Sequence, residues 1–390
     1  MFKVIELFSG IGSQAQALKM LGANAEIVGT SEINKKAIKV YEAIHGKTKQ
    51  YGDISKVEQL DYADMWTYSF PCQDISSMGK QKGLSQGSGT RSSLVYEVLR
   101  LLGAADKKPT VLLLENVEEL CTKFKDDFTV LREQLQELGY VTYLNMFDVV
   151  DSVDYGIPQT RKRTIAVSFL EEKIQNMKQA FIFPKKNNIG YNPMYCLRDF
   201  IEESTPEIMA EYGAEEKFLN DIANTSDIDG DIVLDGVVRN NKISKRNLSF
   251  EVCPFKQRRR IIETNGVCPT LLTTGGHGVH KIFVNEVYEQ DSSCGFMQTR
   301  RKAYDIRYLT PREYWRLMGF DDKTIDKVVN LKGITGNDMY RQAGNSIVTN
   351  VLYFVFKAII DCGIIEGATY DKTRTDTEKL TFDFLQKRAN

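Results

Sequence analysis

"KVIELFSGIGSQAQALKMLG", Lys3 to Gly22, decides the fold. "KVIELF" is an apolar run of strand length, and "SQAQALKMLG" has helical spacing with Gly22 as its stop. Gly10 and Gly12 fall in the turn between them. Glycine lets a backbone approach a ligand closely, and the N–H groups opening a helix can serve a polar group there. A GxG at a strand end also serves as a plain tight turn. The third glycine of a dinucleotide fingerprint is absent, with Ala15 in its place, and no basic residue in the turn meets a pyrophosphate.

The same alternation runs to about residue 184. "AEIVGTSEI" reads as a second strand, and "NKKAIKVYEAIHG" as a helix capped by Asn34 and stopped by Gly46. "MWTYSF", "TVLLLENV" and "YVTYLNMFDV" read as strands, with "LVYEVLRLLGAA" and "DDFTVLREQLQELG" as helices between them. Strands spaced by helices predict an α/β fold with a doubly wound, mainly parallel sheet covered on both faces. "VLLLENV", apolar on both faces, suits a central parallel strand.

After "FIFPKKNN" the character changes. Residues 199–235 are densely acidic, with Lys217 the lone base, and Arg239 to Arg260 are basic around the lone acid Glu251. Short β-like pieces and Gly-rich loops replace the helices. We expect a catalytic and cofactor-binding domain over 1–184, a smaller β-rich domain over 185–332, and a return to the first domain over 333–390. Basic residues of the second domain, Arg258, Arg259 and Arg260 among them, are its best nucleic-acid surface; the alternative is a solvated charged face. "RYLTPREYWRLMGF" reads as an amphipathic helix with Thr310 as cap and Pro311 in the first turn, and "GNSIVTNVLYFVFKAIIDCG" as one long apolar helix.

The gross numbers set bounds. At 390 residues, 42% hydrophobic and 26% charged, the composition is that of a soluble globular protein. The net charge of -1 does not advertise a nucleic-acid binder, so any such site is a local patch. Seven scattered cysteines without a C-x-x-C pair argue against a disulfide framework and for a reducing cytosol. His277 and His280 form an H-x-x-H inside a Gly-rich loop without further ligands at zinc spacing, so no metal is expected. The N-terminus lacks the pattern of a signal peptide, and no apolar run approaches the roughly 20 residues of a membrane span.

Several residues could carry chemistry. Glu32 ends the second strand, where a carboxylate can accept both ribose hydroxyls of an adenosine. Asp53 in "GDIS", after what reads as a further strand, could accept from an adenine amino group with Ile54 against the ring. Cys72 in "FPCQDIS" follows Pro71 at a strand end, ahead of a long polar, Gly/Ser-rich stretch holding Lys80, Lys82 and Arg91. A free cysteine is commonly a small core residue; at the end of a parallel strand, before a lid, it can be a nucleophile. Glu115 ends a buried strand, where burial would raise its pKa and let it donate a proton. Arg161 and Arg163 in "GIPQTRKRTIAVSF" fall at period two on one strand face, either salt-bridged or holding a base or phosphate.

With these assembled in order, the sequence resembles the DNA (cytosine-5)-methyltransferase family over nearly its whole length. "ELFSGIG" is similar to that family's S-adenosylmethionine turn, "SEIN" to its ribose-binding acid, and "GDIS" to its adenine-binding segment. "FPCQDIS" resembles the nucleophile loop, "ENVEEL" the catalytic glutamate segment, and "QTRKR" the target-base arginines. "RYLTPREYWRLMGF" resembles the helix joining the domains, and "QAGNSI" the closing cofactor segment. Ser13 follows the turn where many members carry another glycine, and Met78 stands where some carry a small polar residue.

The resemblance implies a methyltransferase fold with a target-recognition region at about 237–300, acting on duplex DNA. Cys72 would attack C6 of a flipped cytosine, with Glu115, Arg161 and Arg163 as its catalytic companions. Phe8, Gly10, Gly12, Glu32, Ile33, Asp53, Ile54, Leu94, Asn345 and Ser346 would hold S-adenosylmethionine. Gln73, Ser76, Lys80, Lys82, Arg258, Arg259, Arg260, Thr270 and Leu271 would meet DNA. A cytoplasmic monomer without membrane attachment is implied, with a cognate restriction endonuclease as a possible functional partner. The rivals are a tRNA cytosine-5 methyltransferase, a catalytically inactive DNA-binding relative, and a Rossmann oxidoreductase. The tRNA branch carries a Cys-Phe-Thr tripeptide that does not occur here.

Overall fold

The computed structural model describes residues 1–71, 91–214, 238–239, 242–243, 261–262, 264, 266–273, 280–291 and 298–386. The chain opens with strand β1 (Phe2–Leu7), helix α1 (Ser13–Leu21), β2 (Ala25–Ser31) and α2 (Lys35–His45). The Asn34 side chain caps α2 by accepting from the Lys36 and Ala37 N–H groups, and Gly46 follows its last residue. Then come β3 (Met65–Tyr68), α3 (Val95–Ala104), β4 (Val111–Val117), α4 (Lys125–Glu137), β5 (Tyr140–Val141), β6 (Phe147–Asp151) and β7 (Lys162–Leu170).

These seven strands form one sheet of order β2-β1-β3-β4-β7-β5, with β6 also paired to β7. The pairs β1–β2, β1–β3 and β3–β4 are parallel, whereas β7 runs antiparallel to β4, β5 and β6. The expected parallel sheet is therefore mixed at one end. All seven residues of β4 are buried, as its apolar run predicts. The direction of its outer neighbour was not readable from that run, because burial on both faces does not depend on strand direction. Apolar side chains pack on both faces of the sheet, one cluster with α1 and α2 and the other with α3 and α4.

Three local expectations are corrected. "YVTYLNMFDV" is two strands, broken by a turn in which the Met146 N–H donates to the Tyr143 carbonyl and Leu144 is exposed. "GDIS" follows no strand: Asp53 caps a single 3-10 turn, Ile54–Lys56. "GNSIVTNVLYFVFKAIIDCG" spans a helix end, a break and a second helix, as described below.

In the second half, helix α5 (Pro206–Tyr212) is capped by Thr205 and precedes a short strand pair, β8 (Val238–Arg239) with β9 (Lys242–Ile243). Strands β10 (Ile261–Ile262), β11 (Lys281–Asp291) and β12 (Gln298–Tyr308) form a separate sheet, with β11 and β12 a long antiparallel pair rather than short pieces. Helix α6 (Pro311–Arg316) follows, with Thr310 and Glu313 closing a capping box and Pro311 in the first turn. Glu313 also accepts from Arg307 at 2.7 Å, a pair with both side chains fully buried, so the end of β12 is locked to α6.

Helices α7 (Asp322–Val329), α8 (Gly336–Asn345) and α9 (Thr349–Asp361) complete the main fold. The break between α8 and α9 falls at Ser346, which is extended (φ -82, ψ 167). Helix α9 packs against α1. Beyond α9 the chain runs beside the turn after α1, where the Asn24 N–H donates to the Thr369 carbonyl.

Candidate active site

A cavity of about 940 Å³ opens at the C-terminal ends of β1, β2, β3 and β4. That is where open parallel sheets bind ligands, because βα turns and helix N-termini converge there. The cavity is walled by the turn after β1, the end of β2, the end of β4, the start of β7, residues 269–273, and the α8–α9 break.

The first wall is built by backbone strain and glycine. Phe8 has φ 59, the one positive value at a non-glycine among the described residues, and Gly10 has φ 55. A Cβ on Gly10 would meet nothing within 4 Å, so its backbone borders open space. Gly12 differs. It does not line the cavity, and a Cβ there would fall 2.6 Å from the rings of Tyr41 and His45. Its role is to let the turn sit down on α2.

Beneath this turn lie two ionisable groups, one buried and one half-buried. Glu6 on β1 is wholly buried beside Tyr41 and the Ala15 backbone, and loss of hydration pushes its carboxyl up to about 7. The His45 ring faces the Ile11 carbonyl at 3.2 Å; burial above all lowers its pKa to about 4.

Glu32 follows β2. Its Oε2 accepts from the Gly10 N–H at 3.0 Å, and Oε1 accepts from the Ile33 and Asn34 N–H groups at 2.9 and 2.8 Å. One carboxylate thereby ties two strand ends together, and Oε2 retains acceptor capacity. Ile33 beside it is 72% exposed, a large apolar side chain standing mostly open at the cavity. Asp53, Ile54, Leu94, Asn345 and Ser346 line the same cavity. The Asp53 side chain accepts from the Ser55 N–H and hydroxyl.

Glu115 and Arg163 meet at the opposite wall, with Arg163 Nε 3.3 Å from Glu115 Oε1. Burial, the largest influence, raises the Glu115 carboxyl above its ordinary range, against the opposing charges of Arg163 and Arg161 and a Ser69 hydrogen bond. Arg161 lies one residue before β7. Its guanidinium donates to the Leu271, Gly344 and Ser346 carbonyls, so the two arginines of "QTRKR" have different employment.

Phe70 and Pro71 line the cavity, and Cys72 is the next residue. Cys72, Gln73, Ser76, Lys80, Lys82, Arg258, Arg259 and Arg260 lie outside the described residues. Thr270 and Leu271 line the cavity. Sequence reasoning passed over Asn116 as a site residue. Its side chain, buried at the end of β4, donates to the Phe70 carbonyl at 3.0 Å and so anchors the strand end two residues before Cys72. The signal was its place beside Glu115. Gln159 was also missed: it donates to the Leu317 carbonyl and accepts from the Leu271 N–H.

Among the described residues no group of three or more His, Cys, Asp or Glu could hold a metal ion. His280 is buried with its ring nitrogen 2.6 Å from the Tyr314 hydroxyl, so it serves packing. The stretch Gly336–Asp361 is long and apolar enough to cross a membrane, but 83% of its most apolar window is buried inside the fold.

A glycine turn, a strand-end acid and a carboxyl–guanidinium pair thus surround one cavity at the C-terminal edge of the sheet. The family model for C-5 cytosine-specific DNA methylases matches residues 2–361, and the chain belongs to that family. It is 30% identical to the type II methyltransferase M2.ScrFI of Lactococcus lactis subsp. cremoris, over 92% of this chain and 99% of that one. It is 27% identical to the orphan methyltransferase M.SPBetaI of Bacillus phage SPbeta, over 92% and 97%. In fold it is similar to the S. pombe Dnmt2 methyltransferase, with a TM-score of 0.62, 21% identity, and 92% and 99% of the chains covered. The chain is thus a DNA cytosine-C5 methyltransferase, and its family implies S-adenosylmethionine as methyl donor and DNA as substrate.

Proposed function

We propose that this chain methylates C5 of a cytosine within one duplex DNA sequence, with Cys72 as nucleophile and Glu115 as the acid. The observation that carries the reading is the pair of buried Glu115 and half-buried Arg163 facing the cavity whose other wall is the Gly10–Glu32 turn.

The residues present fit the cofactor. Open backbone at Gly10, acceptor capacity on Glu32 and the exposed Ile33 suit, in turn, a polar tail, a ribose and an adenine ring. Phe8, Gly10, Glu32, Ile33, Asp53, Ile54, Leu94, Asn345 and Ser346 would hold it, with Gly12 seating the turn. When bound, S-adenosylmethionine supplies the electrophilic methyl group that C5 takes.

The target cytosine must leave the stack, because C5 and C6 are unreachable inside a duplex. The Cys72 thiolate then adds to C6, forming a C–S bond. Glu115, whose carboxyl burial raises above its ordinary range, gives its proton to N3, so the electron pair from the ring collects on C5 instead of charging the ring. Arg163 holds the Glu115 carboxylate as it forms and stabilises its charge. After C5 gains the methyl, its proton leaves to water, Cys72 is expelled, and N3 returns its proton to Glu115. Thr270 and Leu271 would face the extruded nucleotide's backbone. The basic residues of the second half, Arg258, Arg259 and Arg260 among them, and Gln73, Ser76, Lys80 and Lys82 would meet the duplex.

The chain would act as a cytoplasmic monomer, as a solitary enzyme or beside a cognate restriction endonuclease. Conversion sequencing of DNA from cells expressing the chain tests the reading. Protected cytosines in one recurring sequence are expected. An unmodified genome with soluble, cofactor-binding protein, or modification confined to RNA, would overturn it.

A further inference from the structure

Arg161 is 3% exposed, and its guanidinium serves three backbone carbonyls from two distant parts of the chain. Nη1 donates to Leu271 at 3.2 Å, and Nη2 donates to Gly344 at 2.7 Å and Ser346 at 2.8 Å. Leu271 belongs to the strap 266–273, whose Thr270 and Leu271 line the cavity on the proposed DNA side. Gly344 and Ser346 bracket Asn345 in the α8–α9 break, on the proposed cofactor side.

Further contacts weld the strap to the segment that carries Arg161. The Cys268 N–H donates to the Pro158 carbonyl and the Thr160 N–H to the Cys268 carbonyl, both at 2.8 Å. The Leu271 N–H donates to Gln159 Oε1 at 3.1 Å, and the Thr270 hydroxyl to the Thr160 carbonyl at 2.6 Å. An independent contact joins the strap to the break directly. A Cβ on Gly344 would lie 2.6 Å from the Leu272 oxygen and 2.8 Å from the Thr273 nitrogen, so only glycine admits this approach.

We infer that Arg161 is a positioning residue that couples DNA binding to cofactor binding. The inference rests on the DNA-methyltransferase reading above and adds to it a route between the two ligands. A guanidinium is planar and its donors are fixed relative to one another. A shift of the Leu271 carbonyl under a bound nucleic acid therefore turns the group, and the Gly344 and Ser346 carbonyls must follow or lose their donors. Losing them leaves buried acceptors unserved, which is costly. The coupling is reciprocal: each ligand tightens the other by the same factor.

The test titrates S-adenosylhomocysteine into the full chain by calorimetry, alone and with saturating duplex carrying the sequence found by conversion sequencing. For the unaltered chain the affinity should differ between the two conditions by roughly fivefold or more. Arg161→Lys keeps the charge but concentrates it in one ammonium that cannot span both segments. It should bind each ligand and bring the ratio to within about twofold of one, the reading expected when coupling is lost. Thr270→Val, which keeps shape and removes one weld, should at least halve the ratio and carries the test if Arg161→Lys does not fold. An unchanged ratio in a folded variant overturns the inference, as does a ratio of one in the unaltered chain. Failure of the unaltered chain to bind the duplex at all overturns the underlying reading with it.

Discussion

Arg163 Nε lies 3.3 Å from Glu115 Oε1 across the antiparallel β4–β7 pair, on one sheet face and one diagonal step out of direct register, since Arg163 faces Val117. Such diagonal neighbours stay within reach of long side chains. The arginine opposes the rise that burial gives the Glu115 carboxyl. Turnover that needs a protonated Glu115 is complete below that carboxyl's pKa and falls as pH rises through it. Arg163→Met removes a lowering influence, so the alkaline limb of kcat should move to higher pH while the plateau drops. Glu115→Gln should lower kcat by about 10²- to 10⁴-fold and leave duplex binding nearly intact. A pH-independent kcat in the unaltered chain would remove the acid assignment.

Cys72→Ser should abolish methyl transfer and the covalent adduct with a 5-fluorocytosine duplex, which blocks loss of the C5 proton. Calorimetric affinity for S-adenosylhomocysteine should be nearly unchanged. An adduct that survives the substitution on a denaturing gel would send the search for the nucleophile elsewhere.

Glu6 and His45 give the fold two opposed pH responses. Glu6 is raised to about 7, so the stability tied to its neutral form is full below the unfolded carboxylate range and is lost as pH climbs to about 7. His45 is lowered to about 4, so its contribution is full above the unfolded value near 6.5 and is lost as pH falls toward 4. The two nearly cancel between about pH 4.5 and 6.5. Glu6→Gln should expose the histidine response alone, with the melting temperature rising with pH across that window. His45→Gln should expose the reverse slope. Parallel pH profiles for both variants would contradict the burial argument.

The Arg307–Glu313 pair is fully buried, and Glu313 also closes the capping box of α6. Glu313→Gln leaves the guanidinium without its counter-charge and should cost about 3–5 kcal/mol in denaturant unfolding. The cost should exceed that of breaking the exposed Lys49–Asp61 pair, where solvent and salt screen both partners.

The sheet and the glycine turn after β1 were legible because their signals are local. Gly10, Gly22, Asn34 and Gly46 each announce a turn, cap or stop through backbone chemistry that needs no partner. Glu115 was legible as a buried strand-end acid for the same reason. Arg161 was not: period two put it with Arg163, while its destination depends on carbonyls 110 and 183 residues away. The reversal at β7 and the break at Ser346 were hidden likewise, since apolar runs report burial and not direction or hydrogen-bond destination.

The α8–α9 break has a consequence for synthesis. The cavity uses Phe8 near one end of the chain and Ser346 near the other, and α9 rests on α1. A ribosome releases the first strands and Glu115, the proposed acid, long before the last wall of the pocket, and early segments fold first. Nascent or prematurely terminated chains lacking residue 346 therefore hold Cys72 and Glu115 beside an unfinished cavity.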